Sequence, residues 1–190
     1  MTANIMTKSL NKTKLSIKTQ TIAAFITVVA AVALPQVFHL MGIISGTGTA
    51  LGAALLPMHL PVIIVGLLAG PYAGAAAGLV SPAISFALTG MPAAVMLPFM
   101  MIEVCAYGLF AGLLRNVKMP VILKVLAVQA GGRAIRAIAI IISIYLLGND
   151  MMNVSIIWSS ITEGIFGLAL QWTLIPLIIN QIAMVNKYEG

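Results

Sequence analysis

VLAVQAGGRAIRAIAIII, residues 125–142, is apolar enough to cross a bilayer yet carries Arg133 and Arg136 in its middle. An arginine at membrane depth costs about 2.5 kcal/mol or more, so it persists only where it faces a protein interior or a watery cavity and meets a partner or ligand. Helical spacing puts Gln129, Arg133 and Arg136 on one face, at i, i+4 and i+7. A polar stripe on an apolar helix implies other helices around it, with the stripe turned inward.

The rest of the chain agrees. Of its 190 residues, 61% are hydrophobic and 7% charged, too few charges to cover that much apolar surface in water. The expected fold class is all-α and integral to a membrane. At about 20 residues per crossing, the length holds about six transmembrane helices and leaves nothing for a globular domain, so residues 1–190 read as one transmembrane domain. Helices are expected near residues 20–41, 51–69, 72–89, 94–114, 121–147 and 157–183. The breaks between them are Gly42 to Gly52, Gly70-Pro71, Gly90-Met91-Pro92, Arg115 to Pro120 and Gly148 to Asn153, where Gly, Pro or Asn stops a helix. Residues 1–19 form a basic segment with Lys8, Lys12, Lys14 and Lys18. The apolar run behind it has no clear small-residue cleavage site, which favours a first transmembrane helix over a signal peptide.

With an even number of crossings, the amino-terminal segment, the second and fourth connections and the carboxyl tail share one side. That side holds Lys8, Lys12, Lys14, Lys18, Arg115, Lys118, Lys187 and, at a helix edge, Lys124, while the opposite connections carry no Lys or Arg. Both termini are therefore expected to be cytoplasmic. The net charge of +6 reads as topology and contact with anionic membrane lipid, not as nucleic-acid binding.

Glu103 lies near the middle of the fourth expected helix. Glu163, Gly167 and Gln171 share a face of the sixth, with Trp158 and Trp172 nearby, so helices four to six are expected to line one polar cavity open toward the outside. The alternative is an internal network in which Glu103 and Glu163 neutralise Arg133 and Arg136. Buried ion pairs are weak devices for stability, which favours function as the reason to keep several. The segment Gly42 to Thr49, including Thr47, is too rich in glycine and hydroxyls for a stable helix and too apolar for an ordinary loop; it is expected to fold back over the cavity or to be a plain connector. His59, between Pro57 and Pro61, is expected to be satisfied locally by carbonyls the prolines free. His39 is expected at the membrane interface.

Ala23, Thr27 and Ala31 recur every fourth position, as do Gly66, Gly70, Gly74 and Gly78, although Gly70-Pro71 interrupts the second series. Small residues at this spacing let helix backbones approach closely. The glycine series is expected to pack within the bundle; the first-helix face meets either this bundle or another membrane protein.

Enzymatic chemistry finds no support. The chain has no H-E-x-x-H, G-x-S-x-G or G-x-x-x-x-G-K-[ST], so neither a zinc site, a nucleophile elbow nor an ATP loop is drawn. Cys105 lacks the neighbours of a reactive or metal-binding thiol and reads as packing. The twelve methionines read as gap-fillers between helices. No cofactor or metal is expected.

Leu56-Pro57-Met58-His59-Leu60-Pro61, Gly70-Pro71-Tyr72-Ala73-Gly74 and Leu88-Thr89-Gly90-Met91-Pro92, in a six-helix chain of this length with a basic amino terminus, resemble the substrate-binding S component of bacterial energy-coupling factor (ECF) vitamin transporters. The resemblance covers almost the whole chain. It implies a vitamin-binding subunit in the bacterial cell membrane that has no ATPase of its own and joins a transmembrane coupling subunit and two ABC-type ATPases. Substrate would enter from outside under the first loop, and the subunit would topple in the membrane to release it inside. The family's small-residue motif on the first helix assigns Ala23, Thr27 and Ala31 to the coupling-subunit contact, with Thr27 a departure from the alanine pattern.

The substrate-binding set is Arg133, Arg136, Gln129, Glu103, Glu163, Gln171, Trp158, Tyr145 and Thr47. Two intramembrane arginines suit a carboxylate, because guanidinium forms charge-assisted hydrogen bonds where water is scarce, which favours pantothenate. Pyridoxine or hydroxymethylpyrimidine is the alternative, with aromatic contacts from Trp158, Tyr145 and Tyr107; it gains if both glutamates cancel the arginines. Two other classes stay open. A self-contained secondary transporter would more often show paired repeats with broken helices, and a structural membrane subunit would not need the arginine stripe.

Overall fold

The computed structural model describes residues 15–48 and 50–188, without the side chains of Leu51, Ala53, Glu163 and residues 186–188; Lys8, Lys12 and Lys14 lie outside the described residues. The elements are α1 (Ile17–Ile44), α2 (Ala50–Leu55), α3 (His59–Ala69), α4 (Pro71–Thr89), α5 (Leu97–Leu114), α6 (Val121–Tyr145), α7 (Ser155–Glu163) and α8 (Ile165–Tyr188). No strand occurs among the described residues. Helices α1, α4, α5, α6 and α8 are long and apolar enough to cross a membrane, and α3 is a shorter apolar helix.

Two of the six expected helices are broken. The 51–69 run divides at Leu56-Pro57-Met58, where Leu56 takes a φ of 47° and Pro57 has no amide hydrogen to continue the α2 ladder. The 157–183 run begins earlier, at Ser155, and divides at Gly164. Helix α1 runs further than expected, to Ile44. The amides of Thr47 and Gly48 then return to the Gly42 carbonyl at 2.9 and 3.0 Å, so this segment caps its own helix. Thr47 is exposed there and lines neither of the two cavities at the bundle's polar cluster, because the curl is spent on the end of α1.

The tightest packing is the seam between α4 and α5. A side chain at Gly74 or Gly108 would overlap the other's backbone, one at Gly78 would overlap the Val104 carbonyl, and one at Gly112 would overlap Pro71. From α3, a Cβ on Gly66 would lie 2.6 Å from the Gly108 carbonyl oxygen. The glycine series does pack inside the bundle, apart from Gly70, whose φ of 117° turns the corner between α3 and α4.

Helix α1 lays its small face on the same core. Ala24 and Ala31 cluster with Ala69, Ala73 and Ala77, Ala23 packs against them, and the buried Thr27 hydroxyl donates to the Ala23 carbonyl at 2.8 Å. Ala23, Thr27 and Ala31, which the resemblance assigns to a partner contact, thus lie on the face that meets this chain's own core. Small residues face small residues, and the facing ones belong to α3 and α4 of the same chain. The outward face of α1 is instead Ile22, Phe25, Ile26 and Val29.

The bundle has two unlike ends. At the proximal end, where α5 leads into α6, the Lys124 ammonium donates to the Arg115 carbonyl at 2.9 Å. The distal end carries the connections after α1, α4 and α6, and the polar residues of α5 and α6 lie toward it.

Candidate functional site

Glu103 is the anchor. It is 1% exposed on α5, and the Tyr107 hydroxyl, one helical turn on, donates to its Oε1 at 2.9 Å. Tyr107 holds that position because its ring lies against the backbone of Gly132, where any side chain would overlap it. From α6, Arg136 donates to Glu103 Oε2 at 2.7 Å. This is a charge-assisted bond in a nearly dry setting, and it ties α5 to α6.

Arg133, one turn before Arg136, gives its NH1 to the Ser160 carbonyl of α7 at 3.0 Å. Gly164 makes room for it, since a Cβ there would stand 2.8 Å from Arg133 NH2. The glycine that breaks α7 from α8 therefore also admits the guanidinium. Glu163 ends α7, but its side chain lies outside the described residues. The internal network is thus formed in part: Glu103 pairs with Arg136, and Arg133 rests on a backbone carbonyl.

Two spaces adjoin this cluster. A cavity of about 270 Å³ lies in the distal half, walled by Pro35, Pro57, Met58, Met91, Pro92, Met96 and Met100, with His39, His59, Ser85, Arg136 and Ser160 among its polar lining. A smaller one of about 180 Å³ sits among Glu103, Arg133, Ile140, Ile157 and Ile161. Arg136 and Ser160 line both, so the Arg136 side chain stands between them.

Other expected residues are engaged elsewhere. Gln129 Nε2 donates to Gln171 Oε1 at 2.9 Å, Trp172 Nε1 donates to Gln129 Oε1 at 2.6 Å, and Gln171 Nε2 donates to the Leu56 carbonyl at 3.3 Å. These groups satisfy one another and the broken α2–α3 junction. Neither glutamine lines either of these two spaces. Tyr145 and Trp158 are 72% and 69% exposed and line neither space. Tyr145 is the last residue of α6, and Trp158 sits on the exposed face of α7.

Several lining residues were not in the expected set. His59 is buried, yet neither ring nitrogen has a hydrogen-bond partner, contrary to the expectation that nearby carbonyls satisfy it. His39 also turns inward, with Nδ1 unpartnered, and a Cβ at Gly52 would press on its ring at 2.9 Å. Met91, Pro92 and Met96 come from the α4–α5 connection, where the sequence predicts a turn at Gly90-Met91-Pro92 and already a helix at Met96.

Apolar walls, a few convergent polar groups and a helical membrane bundle define a membrane-embedded binder of small molecules. The chain belongs to the ECF transporter substrate-specific component family, whose match spans residues 18–179. No curated protein and no solved structure matches it. The protein is accordingly a membrane substrate-binding subunit that works with an ECF module, and its family is one of binders and not of enzymes.

Proposed function

We propose that the protein captures pantothenate for import by a complex of this subunit, a transmembrane coupling subunit and two ABC-type ATPases, with both termini cytoplasmic and the larger cavity turned outward. The observation that carries this reading is Arg136. It lines the 270 Å³ cavity, uses NH1 on Glu103 and has an unpartnered Nε. A guanidinium has five N–H donors, so the Glu103 bond leaves others for a ligand carboxylate. The cavity is slightly smaller than the roughly 300–1,000 Å³ typical of drug-sized ligands, which suits a small vitamin.

Calorimetry on the purified chain tests this, with pantothenate and its neutral alcohol analogue pantothenol as probes. Arg136→Gln is expected to weaken pantothenate binding by roughly thirtyfold or more, because a desolvated charged partner is worth about 2 to 5 kcal/mol, and to leave pantothenol nearly unaffected. Unchanged pantothenate affinity in both Arg136→Gln and Arg133→Gln would remove the anion reading. Pyridoxine or hydroxymethylpyrimidine would then move ahead. One observation favours that second reading: Glu103 already neutralises Arg136 at 2.7 Å.

A further inference from the structure

His59 opens α3 beside the larger cavity, is 2% exposed, and has two buried ring nitrogens without partners. Its nearest carboxylate oxygen, Glu103 Oε2, lies 4.0 Å from Nε2, beyond hydrogen-bond range. That oxygen already accepts from Arg136, and the other accepts from Tyr107. The imidazole is nevertheless held in place. Its ring centroid is 5.2 Å from that of Tyr107 with the planes 59° apart, and its backbone amide donates to the Leu56 carbonyl at 3.2 Å. An imidazole has a hydrogen-bonding group at each nitrogen in every protonation state, and burying both unmade costs stability that the fold does not recover. A fixed, buried and unpartnered side chain at a cavity wall is what a ligand-contact residue looks like before the ligand arrives.

We propose that His59 is a substrate contact that hydrogen-bonds a neutral group, a hydroxyl or an amide, of a molecule whose anionic end lies at Arg136. A guanidinium only donates, which suits a carboxylate, whereas an imidazole can donate or accept, which suits a hydroxyl or an amide. The two polar stations lie close together, since both approach Glu103 Oε2, and the cavity walls that include Pro35, Met58, Met96 and Met100 fit an apolar body beside them. The captured class is therefore a small molecule with an anionic group, a neutral hydrogen-bonding group near it and an apolar part against the methionine and proline walls. This inference rests on reading the larger cavity as the substrate site.

The test uses the full chain in nanodiscs, with His59→Leu and His59→Asn measured in two ways. The first is the melting temperature with no probe added. His59→Leu is expected to leave it unchanged or raise it, since two unmade polar groups disappear; a fall of many degrees would make His59 a structural residue and overturn the proposal. The second is calorimetry with pantothenate, pantothenol and pyridoxine. His59→Leu is expected to weaken pantothenate and pantothenol alike by tenfold or more, with His59→Asn losing less because its amide keeps a donor and an acceptor. Equal affinities in wild type and His59→Leu would also overturn it. Loss of pyridoxine binding in His59→Leu, with no pantothenate binding by the wild type, would keep His59 as a contact but overturn the anionic end at Arg136, and the pantothenate reading with it. If the wild type binds none of the three probes, that reading ends too, and the melting comparison alone decides for or against His59.

Discussion

Helix α5 passes through two unlike neighbourhoods. Toward its proximal end Gly108 and Gly112 lie backbone to backbone against Gly74 and Pro71; toward its distal end Met100 and Glu103 border cavities. Both halves depart from ordinary lipid-facing composition, in opposite ways. The glycine seam removes side chains so that the two backbones meet directly, and the distal half keeps long methionines and charged groups around open space. Tyr107 joins the two: it precedes Gly108, packs on Gly132 and reaches up to Glu103. The polar cluster is held from below by a seam with almost no play, which is how a site with loose methionine walls still keeps its charged groups in register.

The largest effect should come from breaking the seam. Gly108→Leu puts a branched side chain where the Gly74 backbone lies, and inserting bulk into a packed core already costs about 1–3 kcal/mol when only side chains must shift. Here backbone must shift. No monodisperse folded protein is expected by size-exclusion chromatography in mild detergent. A well-behaved Gly108→Leu with normal helicity would show that α4 and α5 do not meet in this way.

Next in size is the Arg136–Glu103 pair, which belongs to the distal half. Arg136→Gln alone leaves Glu103 buried without its cation, a loss of about 3–5 kcal/mol in stability on top of any loss in binding. Replacing both, Arg136→Gln with Glu103→Gln, removes the charges together and is expected to recover most of the melting temperature. Pantothenate affinity should stay low in the double variant. Recovery of affinity along with stability would mean that Arg136 serves the fold and not the ligand.

Gln129 sharpens the division further, because it lies on the arginine stripe yet belongs to the supporting structure. Gln129→Leu deprives the buried Gln171 and the Trp172 indole of their partners, at about 1–3 kcal/mol in thermal unfolding. Binding of a retained ligand is expected to change far less than in Arg136→Gln. A larger drop in affinity than in stability would place Gln129 at the ligand.

These cases show what the sequence made legible. Apolar length located the helices, and charge in an apolar run located Arg133, Arg136 and Glu103, because both signals are local and carry a large energetic cost. Periodicity says which residues share a face but not how their hydrogen bonds are spent, so the sequence puts Gln129 and Gln171 at one polar interior without showing that they bond to each other. The same gap explains Ala23, Thr27 and Ala31: four-residue spacing announces a close approach without saying whether the neighbour is α3 and α4 or another protein. His59 differs from its expected setting for a related reason. Pro57 and Pro61 were expected to free carbonyls for it, but the chain breaks at Leu56, whose carbonyl goes to the Gln171 amide and to the backbone amide of His59, leaving the imidazole without either.

The smallest effect is expected at the two aromatics outside the cavities. Trp158 and Tyr145 were candidates for stacking on a ring-shaped ligand, and an aromatic ring is a large contact when it makes one. At 69% and 72% exposure, with neither side chain lining a cavity, they have no contact of that size to lose. Trp158→Ala and Tyr145→Ala should therefore each stay within about 0.5 kcal/mol of wild type in ligand binding, the range of ordinary surface substitutions. A tenfold loss of pyridoxine or pantothenate affinity in Trp158→Ala would show that α7 turns its outward face onto the ligand, and the distal half would then be a site that closes instead of one already built.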